Sequence, residues 1–266
     1  MRGRDPFEPE AILGAGPYSG HHLDTLRFRS VRLLTKSEAA RYRPAPGEQI
    51  VANLGHRQTW HLARIPEAPV ADVIVHLERV PHTFPGAHAQ IRFKLRPDRA
   101  FMLMSQADYS ASVESDSVDD VIYTVEGNFA PGTSSTPSGG VEQSGIAYML
   151  MSLADKVIAM SGDGTLNRVD QFKLAVSEAE KQAILQRALE VATQAESRRM
   201  FNLVRRNCTT EALRVLDGAL HYAIWRRVVS RLTYSGLPEA MRLYLAERGL
   251  LDSQSRLPPL AEELEH

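Results

Sequence analysis

The hydrophobic pattern of the chain changes near residue 176, from short alternating runs to runs with helical spacing. Between about residues 50 and 176, apolar and polar residues alternate over short stretches separated by turn residues, as in half-buried β-strands. Ile91 and Phe93 fall on one face of such a strand, and Arg92 falls on the other. The predicted strands are Val70–Val80, Gln90–Leu95, Phe101–Ser105, Val121–Val125, Ala147–Leu153 and Val169–Val176.

The C-terminal third of the chain has the sequence signals of helices. Ser177 and Glu180 form a capping box ahead of an apolar stripe with helical spacing. A second helix is predicted to begin at Cys208, and a third to begin at Pro238 and to end at Gly249. Strands therefore come first and helices last, which predicts an α+β fold with an antiparallel sheet followed by C-terminal helices.

Composition excludes several classes of protein. Of the 266 residues 43% are hydrophobic and 24% are charged, as in ordinary soluble globular proteins. The formal net charge of −1 gives no general attraction to nucleic acid, so no nucleic-acid partner is expected. No apolar run is long enough to span a bilayer, and Met1 is not followed by a signal segment. A single cysteine cannot form an intramolecular disulfide.

That cysteine, Cys208, lies where polar residues give way to an apolar helical pattern. This spacing predicts a thiol at a helix N-terminus, where free backbone N–H groups and the helix dipole stabilise a thiolate. Asn207 and Thr209 beside it are residues that cap helices. The alternative is a half-buried cysteine with no chemical role.

A thiol nucleophile needs a base, and histidine is the usual one. His82 and His88 flank a turn that leads into the strand at Gln90–Leu95, so either is able to face a helix N-terminus at the end of the sheet. Residue pattern alone leaves both open. A histidine metal site is disfavoured, and no metal or cofactor is expected, because the spacings match no zinc signature. The histidines considered for it are His56, His61, His76, His82 and His88.

Two stretches resemble a bacterial family. Residues 86–93, Gly-Ala-His-Ala-Gln-Ile-Arg-Phe, resemble its "HxxxxF" strand, and residues 201–210, ending in Asn-Cys-Thr-Thr, resemble its "YN-L-x-x-NCTT" box. The family was long catalogued as a domain of unknown function. It is now named for the N-terminal periplasmic domain of the Lnb-type lipoprotein N-acyltransferases. The resemblance covers about residues 70–251.

The resemblance implies a papain-like thiol fold in circularly permuted order, with the histidine before the cysteine. Cys208 would be the nucleophile and His88 its base. Asn207 would cap the helix or donate to an oxyanion, although the backbone N–H of Cys208 is the favoured donor.

The chain departs from the family where Ser-Val-Glu usually follows the histidine strand. Ser105-Gln106-Ala107 stands there, and Ser112-Val113-Glu114 follows a little later. The residue that orients His88 is therefore open between Glu114, Glu126 and Asp155.

The resemblance also divides the chain. Residues 1–69 are predicted to be an N-terminal extension packed on the core, 70–251 the papain-like catalytic domain, and 252–266 a tail. Leu264-Glu265-His266 resembles the stub of a purification tag. The Pro-, Gly- and Ser-rich stretch Ala130–Gly145 is predicted to be a mobile loop.

The function predicted is that of a cysteine hydrolase or acyltransferase acting on an amide or ester through a Cys–His pair. Its expected partner is a small-molecule, lipid or peptide acyl substrate. The resemblance implies a periplasmic or cell-envelope location, peripheral association with the bacterial envelope and a link to lipoproteins. The alternative is a non-catalytic envelope binding or scaffold domain that retains the fold.

Overall fold

The computed structural model describes residues 5–9, 11–13, 19–80, 87–106, 114–128, 144–162, 164–194, 200–202, 205–223, 225–226, 228–229 and 237–265. The helices are α1 (Lys36–Ala39), α2 (Leu153–Met160), α3 (Glu178–Gln194), α4 (Cys208–Ala219), α5 (Met241–Glu247) and α6 (Leu260–Leu264). Short 3-10 helices lie at Ala40–Tyr42 and Pro238–Ala240. The strands are β1 (Arg32–Leu33), β2 (Gln49–His56), β3 (Thr59–Ile65), β4 (Val70–Arg79), β5 (Ala87–Leu95), β6 (Phe101–Ser105), β7 (Glu114–Val118), β8 (Asp120–Asn128), β9 (Gly145–Ser152), β10 (Ser161–Gly162), β11 (Thr165–Leu166), β12 (Val169–Lys173) and β13 (Arg256–Leu257).

Eleven of the described strands form one sheet, in the order β13-β12-β4-β5-β8-β9-β2-β3-β6-β7, with β1 also paired to β2. Every recorded pairing is antiparallel except that of β2 with β9. The fold is therefore mixed α+β with a large, mostly antiparallel sheet and a few helices. Within the described residues, no helix is long and apolar enough to cross a membrane.

Helices cover both faces of the sheet. On one face α3 and α4 pack against β4, β5 and β8. The core between them includes the fully buried Phe93 and Leu213. On the other face α2 contacts β8 and β9, and Leu153 and Ile122 are buried in a smaller core there. Successive residues of β8 point to alternate faces, as strand geometry requires.

The capping signals in the sequence are confirmed in the structure. The backbone N–H of Glu180 donates to Ser177 Oγ, and the Glu180 carboxylate accepts from the Ser177 backbone N–H. The strand predicted at Ala147–Leu153 ends at Ser152, whose side chain caps α2, so residues 153–160 are helical. The predicted loop Ala130–Gly145 lies outside the described residues, apart from its last two.

Two strands of the large sheet, β2 and β3, come from the predicted N-terminal extension of residues 1–69. β2 and β3 lie inside the sheet, between β9 and β6, and do not form a layer packed on it. Val51 and Ala63 are fully buried in the main core. β2 is buried on both faces, so its sequence lacks the alternation that marks a half-buried strand.

The predicted tail, residues 252–266, contributes β13 and α6. β13 pairs with β12 at the end of the sheet, and α6 packs against β12. The carboxylate of Glu263 accepts from both terminal nitrogens of Arg92, whose side chain is 2% exposed. A buried guanidinium needs such partners because an isolated buried charge is strongly destabilising.

A β-bulge at Asn53 connects the N-terminal segment to the sheet. Asn53 has a φ of 64° and is 2% exposed, between two shifted registers of the β2–β3 pair. Its backbone N–H and its Oδ1 both bond to the side chain of Gln106. Its Nδ2 donates to the backbone oxygens of Phe7 and Ser30, each at 3.1 Å. Asparagine suits this position because it tolerates a left-handed backbone and because its side-chain amide forms hydrogen bonds with the buried polar groups around it.

We expect Asn53→Ala to lower the free energy of unfolding by about 3 kcal/mol, because it removes the side-chain hydrogen bonds to Gln106 Nε2 and to the backbone oxygens of Phe7 and Ser30 and puts alanine in a left-handed conformation. Urea denaturation measures this value. Gln58→Ala is the matched control, since Gln58 has a φ of 56° but is exposed, and it should cost about 1 kcal/mol or less. Equal losses in the two variants would contradict this role for the buried side chain.

Candidate active site

Cys208 is the first residue of α4, as the sequence predicts. Asn207 is the N-cap: its Oδ1 accepts from the backbone N–H of Thr210 at 2.9 Å, and its own N–H donates to Thr210 Oγ1 at 2.8 Å. This reciprocal box fixes where the helix begins. The thiol therefore lies at the positive end of a twelve-residue helix, where it is 6% exposed.

The N-terminus of α4 lies where two neighbouring strands separate. β5 and β8 pair only from Ile91 to Lys94, although both strands continue beyond the Ile91–Tyr123 pair. β4 remains paired with β5 as far as Ala87. The edge of β5 that faces β8 is therefore open near Ala89, whose backbone N–H donates to the Cys208 thiol. Because α4 contacts both strands, its first residue meets the side chains at this opening.

His88 lies beside the thiol on β5. Its imidazole is hydrogen-bonded to Cys208. Its Nε2 lies 2.7 Å from Thr124 Oγ1 and 3.4 Å from Glu126 Oε1, which leaves Nδ1 for the thiol. The Thr124 hydroxyl in turn donates to Glu126 Oε1 at 2.8 Å. The hydroxyl therefore bridges the base and the carboxylate.

A lysine completes this arrangement from the neighbouring helix. Lys156 Nζ on α2 donates to Glu126 Oε1 at 2.8 Å. The groups therefore form one row: thiol, imidazole, hydroxyl, carboxylate and ammonium. We call it the site row, defined by Cys208, His88, Thr124, Glu126 and Lys156.

The charges of the site row favour an ion pair between thiol and imidazole. Burial lowers the pKa of His88, but the charges of Glu126 and Cys208 raise it more, to about 10. Burial raises the pKa of the Cys208 thiol, but His88 and the Ala89 N–H bring it below its ordinary value. Burial also opposes ionisation of Glu126, yet Lys156 and His88 hold its pKa well below the usual range. These shifts favour a thiolate, an imidazolium and a carboxylate, and the carboxylate pairs with the Lys156 ammonium, so that in this state the four charges sum to zero.

Of the three candidates for orienting the base, Glu126 lies next to His88 in the structure. Asp155 is on α2, and its carboxylate accepts from the backbone N–H of Gln58 in the β2–β3 turn at 2.8 Å. Glu114 is the first residue of β7, the terminal strand of the sheet, and β5 lies six positions away in strand order. Asn207 acts as the helix cap.

Thr124 and Lys156 are site residues that the sequence analysis missed. A signal for Thr124 existed, because strand alternation places it on the same face of β8 as Glu126. Lys156 gave no comparable signal, since nothing local relates a lysine on α2 to a carboxylate on β8.

Two of the other candidate histidines, His76 and His56, have partners elsewhere in the sheet. His76 is fully buried on β4 with Nε2 2.8 Å from Gln171 Oε1, and burial together with Arg92 lowers its pKa to about 3, so it is neutral. His56 pairs with Asp116 at 3.2 Å. His82 lies outside the described residues. Over the part of the chain that the structure describes, no group of three or more His, Cys, Asp or Glu side chains is arranged to hold a metal ion.

No protein-family model, no curated protein and no solved structure matches this chain.

We expect iodoacetamide to alkylate Cys208 with a pH midpoint well below the ~8.5 of a free thiol, because the imidazolium stabilises the thiolate. In His88→Ala the midpoint should rise to 8.5 or above, since burial then acts without a compensating cation. Mass spectrometry of the alkylated protein across pH measures both midpoints. His221→Ala, an exposed histidine of the same chain, is the control. Identical midpoints in the parent protein and His88→Ala would show that the two side chains do not form an ion pair.

Glu126→Gln should lower the pKa of His88 by about one unit or more, because the carboxylate that stabilises the imidazolium is lost. Asp155→Asn should leave it unchanged, as Asp155 bonds to a turn on another part of the sheet. NMR titration of the His88 imidazole, assigned by its disappearance in His88→Ala, gives the value. A shift in Asp155→Asn and none in Glu126→Gln would reverse the assignment.

Proposed function

We propose that this chain is a thiol-dependent acyl-transfer enzyme, a cysteine hydrolase or acyltransferase that acts on an amide or ester. The observation that carries the proposal is the Cys208–His88 pair at the N-terminus of α4, backed by Thr124 and Glu126. A helix N-terminus and an adjacent imidazolium are the surroundings that activate catalytic cysteines. A buried structural cysteine needs neither.

The chemistry follows from the arrangement of the pair. The Cys208 thiolate attacks the carbonyl carbon, a C–S bond forms, and the carbonyl oxygen becomes an oxyanion. A helix leaves the N–H of its first residue without an intrahelical acceptor, so the Cys208 N–H is available to bind that oxyanion. His88 then gives its proton to the leaving nitrogen or oxygen as its bond to carbon breaks, leaving a thioester.

The second half of the reaction reverses these roles. The neutral imidazole of His88 accepts a proton from a water molecule or an amine that attacks the thioester carbonyl. The C–S bond breaks, and the thiolate and the imidazolium are restored. Water as acceptor gives hydrolysis, and an amine gives acyl transfer. Thr124 and Glu126 keep the imidazole directed at the thiol through both steps.

We also propose that the fold is a circularly permuted papain-like one. His88 on the strand precedes Cys208 on the helix in the chain, and the two sequence stretches that resemble the Lnb N-terminal domain family contain these two residues. A periplasmic or envelope location, and a lipid or lipoprotein substrate, rest on that resemblance. The other substrate class is a peptide or amide, as in papain-like enzymes that cleave cell-wall peptides.

We expect p-nitrophenyl butyrate to acylate Cys208, giving a burst of nitrophenol and a mass increase of one butyryl group on the peptide that contains the cysteine. Cys208→Ala should abolish the adduct, and His88→Ala should slow its formation by about 10²–10⁴-fold because the general acid–base is lost. Repeating the assay with dodecanoyl and aminoacyl esters separates lipid from peptide preference. The absence of an adduct with every ester would instead favour the non-catalytic envelope domain, and turnover that persists in Cys208→Ala would exclude Cys208 as the nucleophile.

A further inference from the structure

Lys156 is buried where an apolar residue would be expected. Its side chain is 7% exposed, whereas Ile158, two residues further along the same helix, is 58% exposed. A helix oriented by hydrophobic burial alone would place these residues the other way round. Burying a lysine costs free energy unless its charge is compensated, so this orientation of α2 indicates a specific interaction.

That interaction converges on one carboxylate oxygen. Glu126 Oε1 accepts from Lys156 Nζ at 2.8 Å and from Thr124 Oγ1 at 2.8 Å, and it lies 3.4 Å from His88 Nε2. Among the described residues, Glu126 is the side chain to which the structure gives the ammonium a hydrogen bond. The ammonium acts on this carboxylate, and through the carboxylate on the hydroxyl that bonds to His88.

We propose that Lys156 is a positioning residue for acyl transfer, which fixes the ionised Glu126 behind Thr124 and so keeps the His88 imidazole directed at Cys208. This inference rests on the proposed function, because it assigns a role within the same thiol–imidazole pair. Lys156 bonds to Glu126 and acts on the imidazole through Glu126 and Thr124.

The charges around the pair make this role measurable. With Lys156 present, the four ionised groups of the site row sum to zero. Without Lys156, one carboxylate and one thiolate face a single imidazolium, which disfavours the thiolate. Neutralising Glu126 as well restores the balance. Other titratable groups near the pair are Glu78 and His76 on β4 and Glu211 on α4, and none of them changes in these variants.

The test combines Lys156→Met, Glu126→Gln and the double variant, each assayed for the pH midpoint of Cys208 alkylation and for kcat and KM of butyryl ester turnover. We expect Lys156→Met to raise the midpoint by about one pH unit and to lower kcat about 10–100-fold with little change in KM. The double variant should return the midpoint toward that of the parent protein while kcat stays low, because charge balance is restored but the imidazole is no longer held. Lys156→Arg should keep the midpoint of the parent protein.

Lys173→Met is the matched control, because Lys173 pairs with Asp72 at 2.8 Å elsewhere on the sheet. It should leave the midpoint and kcat unchanged. If Lys156→Met does not fold, Glu126→Gln is compared with the double variant. The alkylation midpoint should then be higher in the double variant than in Glu126→Gln, because the double variant lacks the positive charge of Lys156. A lower melting temperature with unchanged midpoint and kcat would overturn the proposal and leave Lys156 a structural residue. An ordinary thiol midpoint in the parent protein would instead overturn the proposed function itself.

Discussion

The separation of β5 and β8 beyond the Ile91–Tyr123 pair is the constraint on which the site depends. A continuous ladder would join the backbone of β5 to β8 and leave no place for a helix end. Where the ladder stops, the Ala89 N–H is able to bond to the Cys208 thiol, and α4 places its first residue between the strands. His88 and Thr124, one on each strand, then meet beside the thiol.

Charge balance explains how the partly buried site row accommodates four ionised side chains. Each charge in the site row has a neighbour of opposite sign, and hydrogen bonds of 2.7 to 2.8 Å connect the imidazole to the ammonium. A single ionised group at the same depth would shift its pKa until it became neutral. The stability of each ion therefore depends on the others, and the thiolate is one member of a compensated set.

Much of the local structure was predictable because it depends on neighbours in sequence. The Asn207–Thr210 box and the Ser177–Glu180 box each act over three residues, and the alternation in β5 is a property of one strand. β2 escaped prediction because both of its faces are buried, and α2 because Ser152 is the one polar residue in Ala147–Leu153, the apolar stretch that contains the change from strand to helix. The secondary structure of β2 and α2 therefore depends on the elements that pack against them.

The sequence by itself determined that a lone thiol begins a capped helix and that a histidine begins a strand, since both are local facts. It also left three carboxylates open as partners of that histidine. Only the tertiary structure decided among them, because the pairing of β8 beside β5 and the packing of α2 and α4 on these strands bring together residues up to 120 positions apart in the chain. Such contacts depend on strand order and helix orientation, which are set by the packing of the whole sheet and leave no periodic trace in any one segment.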